Sequence, residues 1–323
     1  MLAGYFTPGS FDRKGAGAFL KDRLIRLGIP LLAFTFVLSP ISNLGFYLMP
    51  ASLTGLTGPP TWEAYPRMIG LGPLWFVAML LLFSFGYVIW RLLRRNQTAA
   101  PAPEASAQES PVPGYVPIII FALALAVVSY LFRMIVPLGQ SVEVFADWLS
   151  FPTIAYLPQY LSFFILGMVA SRHDWFRRLP ASVGVVGFVV AMVAGVFAFP
   201  VALSGQLFSV EIAEPAGFVG NGHWQSALYA LWDSIFAVGI VLAAITLFRR
   251  FFNARSRFGT FLSQQGYAVY VIHVPIIVFL AYAISSLELA SLLKFIVASI
   301  IIVPVCFVVA YLLRKLPFVA RVL

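Results

Sequence analysis

The chain has 323 residues, 61% of them apolar and only 10% charged, where an ordinary soluble domain runs about 45–50% and about 25%. Together with a mean hydropathy of +0.94, this excludes an ordinary soluble enzyme, a disordered chain and a fibrous one, and leaves a polytopic membrane protein. The net charge of +9 is then a question of which side of a membrane holds the cations, not of nucleic acid.

The chain opens Met1-Leu-Ala-Gly-Tyr-Phe6 and passes Pro8, Gly9 and Ser10 without the apolar core of a signal peptide. A basic run, Arg13 to Arg26, leads into the first of eight apolar stretches. Each is about the length needed to cross roughly 30 Å of hydrocarbon. They cover residues 29–49, 73–93, 115–136, 155–171, 181–203, 226–248, 267–286 and 290–313, the fourth being short. At this span length only helices satisfy the backbone in lipid, so the expected class is all-α, a polytopic membrane helix bundle with about eight transmembrane helices. Residues 96–114, NQTAAPAPEASAQESPVPG, hold four prolines and no aromatic residue. They cannot bury enough apolar surface to offset their ordering, which predicts a flexible cytoplasmic linker inside a single membrane domain, 1–323. The loops at 50–72, 137–154 and 204–225 carry Trp62, Tyr65, Trp148 and Trp224. Aromatic residues there read first as interfacial anchors and second as a substrate platform. There is no internal repeat, and the single cysteine, Cys306, allows no intrachain disulfide.

The basic residues orient the spans. Eighteen of the 21 Lys and Arg fall before the first span, after the eighth or in alternate loops, and only Arg67, Arg133 and Lys294 fall on the other side. Glu63, Glu143, Asp147, Glu211, Glu214 and Glu288 share that other side. The split predicts both termini in the cytoplasm.

Few polar groups remain for chemistry. Arg23 and Arg26 are three apart, so on a helix they share a face and can grip phosphate by charge-assisted hydrogen bonds, or simply anchor to headgroups. His273 lies seven residues inside its span, where an ionisable group is a functional candidate by default. The competing reading is a neutral imidazole bonded to a neighbouring helix. Asp233 sits at similar depth from the opposite side and needs a partner or a proton. It could orient a histidine, bind a sugar hydroxyl, or pair with Arg133. Gln159, Tyr160 and Ser162 add polar atoms near the fourth span, while His223 and His173 read as solvated. A phosphate-binding glycine loop, HExxH, paired cysteines and GxSxG are all missing. Three scattered histidines make no metal site, so none is expected.

Four segments together carry a resemblance: RKGAGAFLKDRLIRLGIPLLAF at 13–34, GPLWFVAMLLLF at 72–83, YLPQYLSFFILGMVASRHDWFRRLP at 156–180 and LSQQGYAVYVIHVP at 262–275. On these the chain resembles integral-membrane acyltransferase family three, bacterial O-acyltransferases that modify cell-surface carbohydrates. The resemblance implies an inner (plasma) membrane, multi-pass acyltransferase. It also implies acyl-CoA, acetyl-CoA first, as donor substrate with no bound cofactor, and a carbohydrate acceptor outside the cytoplasm. Lipid is the remaining partner and nucleic acid is not one. It assigns donor handling to the Arg-x-x-Arg pair, here Arg23 and Arg26. It also implies an N-terminal helix with a basic residue, ten spacers and a catalytic histidine. The residues eleven before the three histidines are Ser162, Ile212 and Leu262, so that motif is not in this sequence. The expectation is a chain truncated at its N-terminus and inactive as given, with Asp233 and His273 left as catalytic candidates, His273 in a supporting role. A transporter or flippase for a lipid-linked sugar, with Asp233 and His273 in its pathway, is the alternative, and a non-catalytic membrane scaffold is a third reading.

Overall fold

A computed structural model describes residues 1–49, 51–55, 58, 61–94, 111–144, 149–208, 211, 216–252 and 256–323. The expected linker lies outside the described residues over 96–110; residues 111–114 are irregular.

Among the described residues, eight helices are long and apolar enough to cross a membrane, one for each expected span. The chain is a multi-pass membrane protein of the all-α class. The first helical run starts far ahead of its apolar stretch, at Leu2, and extends to Leu48. It comprises α1 (Leu2–Arg23), α2 (Ile29–Ala33) and α3 (Ser39–Leu48), joined by π-helical turns at Leu24–Gly28 and Phe34–Leu38. Gly15, at φ 73°, kinks α1. Each π turn precedes a proline, Pro30 or Pro40. Proline has no N–H, so the carbonyls four residues back, of Arg26 and Phe36, lose their helical partners. Two tyrosines replace them: Tyr267 Oη donates to the Arg26 carbonyl at 2.8 Å and Tyr65 Oη to the Phe36 carbonyl at 2.8 Å. Tyr65, expected to be an interfacial anchor, is thus also a backbone staple.

The other long helices are α4 (Trp75–Arg94), α5 (Tyr115–Ile135), α6 (Leu157–Arg172), α7 (Ala181–Ser204), α8 (Trp224–Phe251), α9 (Arg257–Ala283) and α10 (Ser291–Leu313), followed by a short α11 (Pro317–Val322). Strands β1 (Val142–Val144) and β2 (Leu149–Phe151) pair into a two-stranded ribbon.

The chain divides into two compact units. The first holds residues 1–15, 87–142 and 152–254. Its core is Ala122, Leu125, Phe163 and Val238. Helix α7 lies backbone to backbone on α8: a Cβ added at Gly187 would stand 3.1 Å from the Gly239 carbonyl oxygen, and one at Gly239 would stand 2.9 Å from Ala191 Cβ. The start of α1 is as close to α6, where a Cβ on Gly167 would lie 2.9 Å from the Tyr5 nitrogen. Small residues allow such approach, which is how helices gain dispersion contacts in lipid. Tyr5 then stacks on Phe176 at 4.3 Å and donates to Asp174 Oδ1 at 3.1 Å.

The second unit holds residues 16–86, 143–151 and 255–323. Phe34, Leu74, Val77, Ala268, Val271, Ile272 and Ala310 form its core, with α9 packed on α3 and α10. Ser39 Oγ and Asn43 Nδ2 both donate to the Met68 carbonyl at 2.9 Å, fastening the turn after residue 61 to α3.

Candidate functional site

The candidate residues fall into two groups, one in each unit. In the first unit, Asp233 has the partner that the sequence allowed. Arg133 Nη2 donates to Asp233 Oδ2 at 2.7 Å, with the arginine side chain wholly buried and the aspartate 14% exposed. The guanidinium carbon lies 4.7 Å from the centre of the Tyr156 ring and 5.4 Å from that of Tyr229, and the two hydroxyls meet at 3.2 Å. Gln159 Nε2 reaches Asp233 Oδ1 at 3.5 Å, the limit of a hydrogen bond. Nε and Nη1 of Arg133 are buried with no hydrogen-bond partner. The aromatic faces beside the guanidinium supply cation–π attraction instead. Burying either charge alone would be expensive, so the two form one ion pair where the end of α5 and the start of α6 meet α8, about three turns into that helix. From sequence Arg133 reads as a charge on the minority side; its burial is not legible there.

In the second unit, α9 aligns Tyr267, Tyr270 and His273 at successive three-residue steps, spanning about 9 Å along the axis. Tyr267 holds the Arg26 carbonyl, and Tyr270 Oη donates to the Pro73 carbonyl. His273 Nδ1 lies 2.8 Å from the Tyr270 carbonyl, and the two rings stack. A carbonyl can only accept, so Nδ1 carries a proton, and in the neutral imidazole Nε2 presents a lone pair. This differs from the sequence alternative of a bond to a neighbouring helix: the partner is on α9 itself. Among the described residues, Nε2 has no hydrogen-bond partner.

Arg23 and Arg26 do not present alike. Arg26 is exposed and its Nε sits 3.3 Å from Asp22 Oδ1. Arg23 is half-buried: its Nε has no hydrogen-bond partner and its guanidinium lies 5.1 Å from the centre of the Phe19 ring. Arg26 lies within the π turn Leu24–Gly28 and Arg23 just before it, and sequence spacing alone gives no sign of that turn. Asp233 and His273 belong to different units. Among the described residues no cluster of His, Cys, Asp or Glu could hold a metal ion. His223 is exposed, while His173 stacks on Trp175.

A family model described as an acyltransferase domain matches residues 1–313. The chain belongs to that acyltransferase family. It is similar to glucans biosynthesis protein C of Salmonella schwarzengrund strain CVM19633 and of Salmonella heidelberg strain SL476. Each is 23% identical over 332 residues, which cover 98% of this chain and 78% of the relative. The protein of the same name from Salmonella paratyphi B strain ATCC BAA-1250 / SPB7 is 22% identical over 330 residues, with the same coverage. No solved structure matches the chain. As a membrane acyltransferase, the protein must place an acyl donor and an acceptor nucleophile together. The α9 ladder, with cations at one end and a histidine lone pair further along, is an arrangement that can serve both.

Proposed function

We propose that this acyltransferase moves an acyl group, acetyl first, from cytoplasmic acyl-CoA to a hydroxyl of an extracytoplasmic carbohydrate. It would do so in a bacterial inner (plasma) membrane with both termini in the cytoplasm. The observation that carries the reading is the ladder in the second unit: Arg26 is tied through Tyr267 to the helix that bears His273. Arg23 and Arg26 hold the donor's phosphates, because a guanidinium fork matches phosphate oxygens in both charge and direction. The acceptor hydroxyl attacks the thioester carbonyl carbon. A C–O bond forms, the C–S bond breaks, and the hydroxyl proton ends on the departing CoA sulfur. His273 Nε2 accepts a hydrogen bond from the hydroxyl and polarises it, a supporting role in general-base catalysis. The 18-to-3 distribution of cations supports the orientation. The names of the relatives, glucans biosynthesis protein C, are in keeping with a carbohydrate acceptor.

The test is acyl-CoA binding by the purified chain in nanodiscs. Arg23→Lys keeps the charge but loses the planar fork, and binding should weaken about tenfold. Arg94→Lys, at an arginine lying over the Trp90 ring in the first unit, should change it little. Equal effects at the two sites would return Arg23 and Arg26 to headgroup anchors.

A further inference from the structure

Arg314, at the end of α10, is brought to the same end of the second unit as Arg23 and Arg26. Its neighbour Leu313, Arg26's neighbour Leu27 and Tyr267 all pack against the same core cluster, and Tyr267 Oη donates to the Arg26 carbonyl. Helix α11, three residues further on, packs against the π turn Leu24–Gly28. Arg314 Nη1 donates to the Gln264 carbonyl and lies 3.3 Å from Gln265 Oε1, one turn before Tyr267. One atom, Nη1, is therefore held between two acceptors, while Nε is buried with no hydrogen-bond partner, as is that of Arg23.

The charge at this end is one-sided. Residues 16–28, 256–266 and 314–323 contain Lys21, Arg23, Arg26, Arg257, Arg314, Lys315 and Arg321 but one acidic side chain, Asp22. Asp22 is already engaged with Arg26. Gathering several cations at one end of the unit, with two guanidinium nitrogens buried and unpaired, costs free energy that a polyanion would offset. Coenzyme A carries two such anionic groups, a pyrophosphate and a separate 3′-phosphate. An Arg-x-x-Arg pair on one segment suits the first; an arginine delivered from a different helix suits the second.

Resting on the acyl-CoA reading above, we propose that Arg314 is a third guanidinium of the donor site and binds the 3′-phosphate of coenzyme A. The shared chemistry is phosphate recognition, which a lipid headgroup could also supply, so the experiment separates the two. Binding of CoA and of 3′-dephospho-CoA is measured on the full chain in nanodiscs of phosphatidylcholine, with and without phosphatidylglycerol. Wild type should prefer CoA by about tenfold or more. Arg314→Gln should bind CoA only as well as dephospho-CoA, with dephospho-CoA binding unchanged. That second value also reports folding, since a misfolded variant loses both ligands. In that event Arg314→Lys, which keeps the charge and can still donate to the Gln264 carbonyl, decides. Its CoA preference should fall at least about threefold, and an unchanged preference overturns the proposal. Equal loss of both nucleotides by folded Arg314→Gln, or an effect confined to phosphatidylglycerol discs, also overturns it, the latter by making Arg314 a headgroup contact. Wild type binding both nucleotides equally overturns it while leaving the donor reading intact. Wild type binding neither sinks the donor reading itself.

Discussion

Arg133 shows at the scale of one residue how burial decides what a charge is for. From sequence it is one of three cations on the minority side; in the fold it is wholly buried and bonded to Asp233 at 2.7 Å. Removing one partner of such a pair leaves the other charge uncompensated, at a cost of about 3–5 kcal/mol, whereas replacing both with apolar groups can be neutral. Asp233→Leu should therefore lower the unfolding temperature in detergent sharply, and adding Arg133→Leu should recover most of the loss. Asp233→Asn separates this structural role from a catalytic one. If activity falls by two orders of magnitude while thermal stability holds, Asp233 acts in the chemistry and the structural account of the pair is insufficient. At the same scale, Tyr267 and Tyr65 occupy positions that Pro30 and Pro40 create, since each meets a carbonyl that a proline leaves without its helical partner. The prolines were visible in the sequence. Which hydroxyl would reach each carbonyl was not, because the partners lie 241 and 29 residues away.

Among the elements, the existence of each long helix followed from hydrophobic stretches of membrane length, and the structure has one helix for each. What periodicity did not reveal is that the helix before the first apolar stretch begins at Leu2 and docks, through Gly4 and Gly167, on α6. Nor did it mark the α7–α8 crossing, although Gly184, Gly187 and Ala191 on one helix and Gly239 on the other carry a small-residue spacing that suggests close approach. Gly239→Leu places a side chain where Ala191 Cβ would be 2.9 Å from the first added carbon. Neither backbone can yield without separating the helices. Overpacking of this kind costs about 1–3 kcal/mol or more. The expected outcome is a clear drop in unfolding temperature, whereas Gly266→Leu, with open space around its Cβ position, should fall much less. Equal losses at the two positions would mean that the α7–α8 contact is not limiting.

For the whole molecule, orientation is the property most directly carried by composition. Reporter fusions at residues 105 and 175 should signal from the cytoplasm, and fusions at 60, 145 and 215 from the opposite side. The motive is the 18-to-3 cation split. A cytoplasmic signal from residue 215 would refute that arrangement.

The sequence by itself determined the class of molecule and its number of spans. It also pointed to the acyltransferase family that the match over residues 1–313 shows. These depend on composition and short-range pattern, because lipid requires each spanning segment to satisfy its own backbone. It singled out Arg23, Arg26, Asp233 and His273 by charge in an apolar context. Only the tertiary structure decided what those groups meet. Asp233 meets Arg133; His273 Nδ1 meets the Tyr270 carbonyl of its own helix; Arg314 is fixed at Gln264 and Gln265. Such partners are tens to hundreds of residues apart or depend on a local turn. They form because no charge or carbonyl can remain unpaired cheaply away from water, and which partner satisfies it depends on how the helices pack.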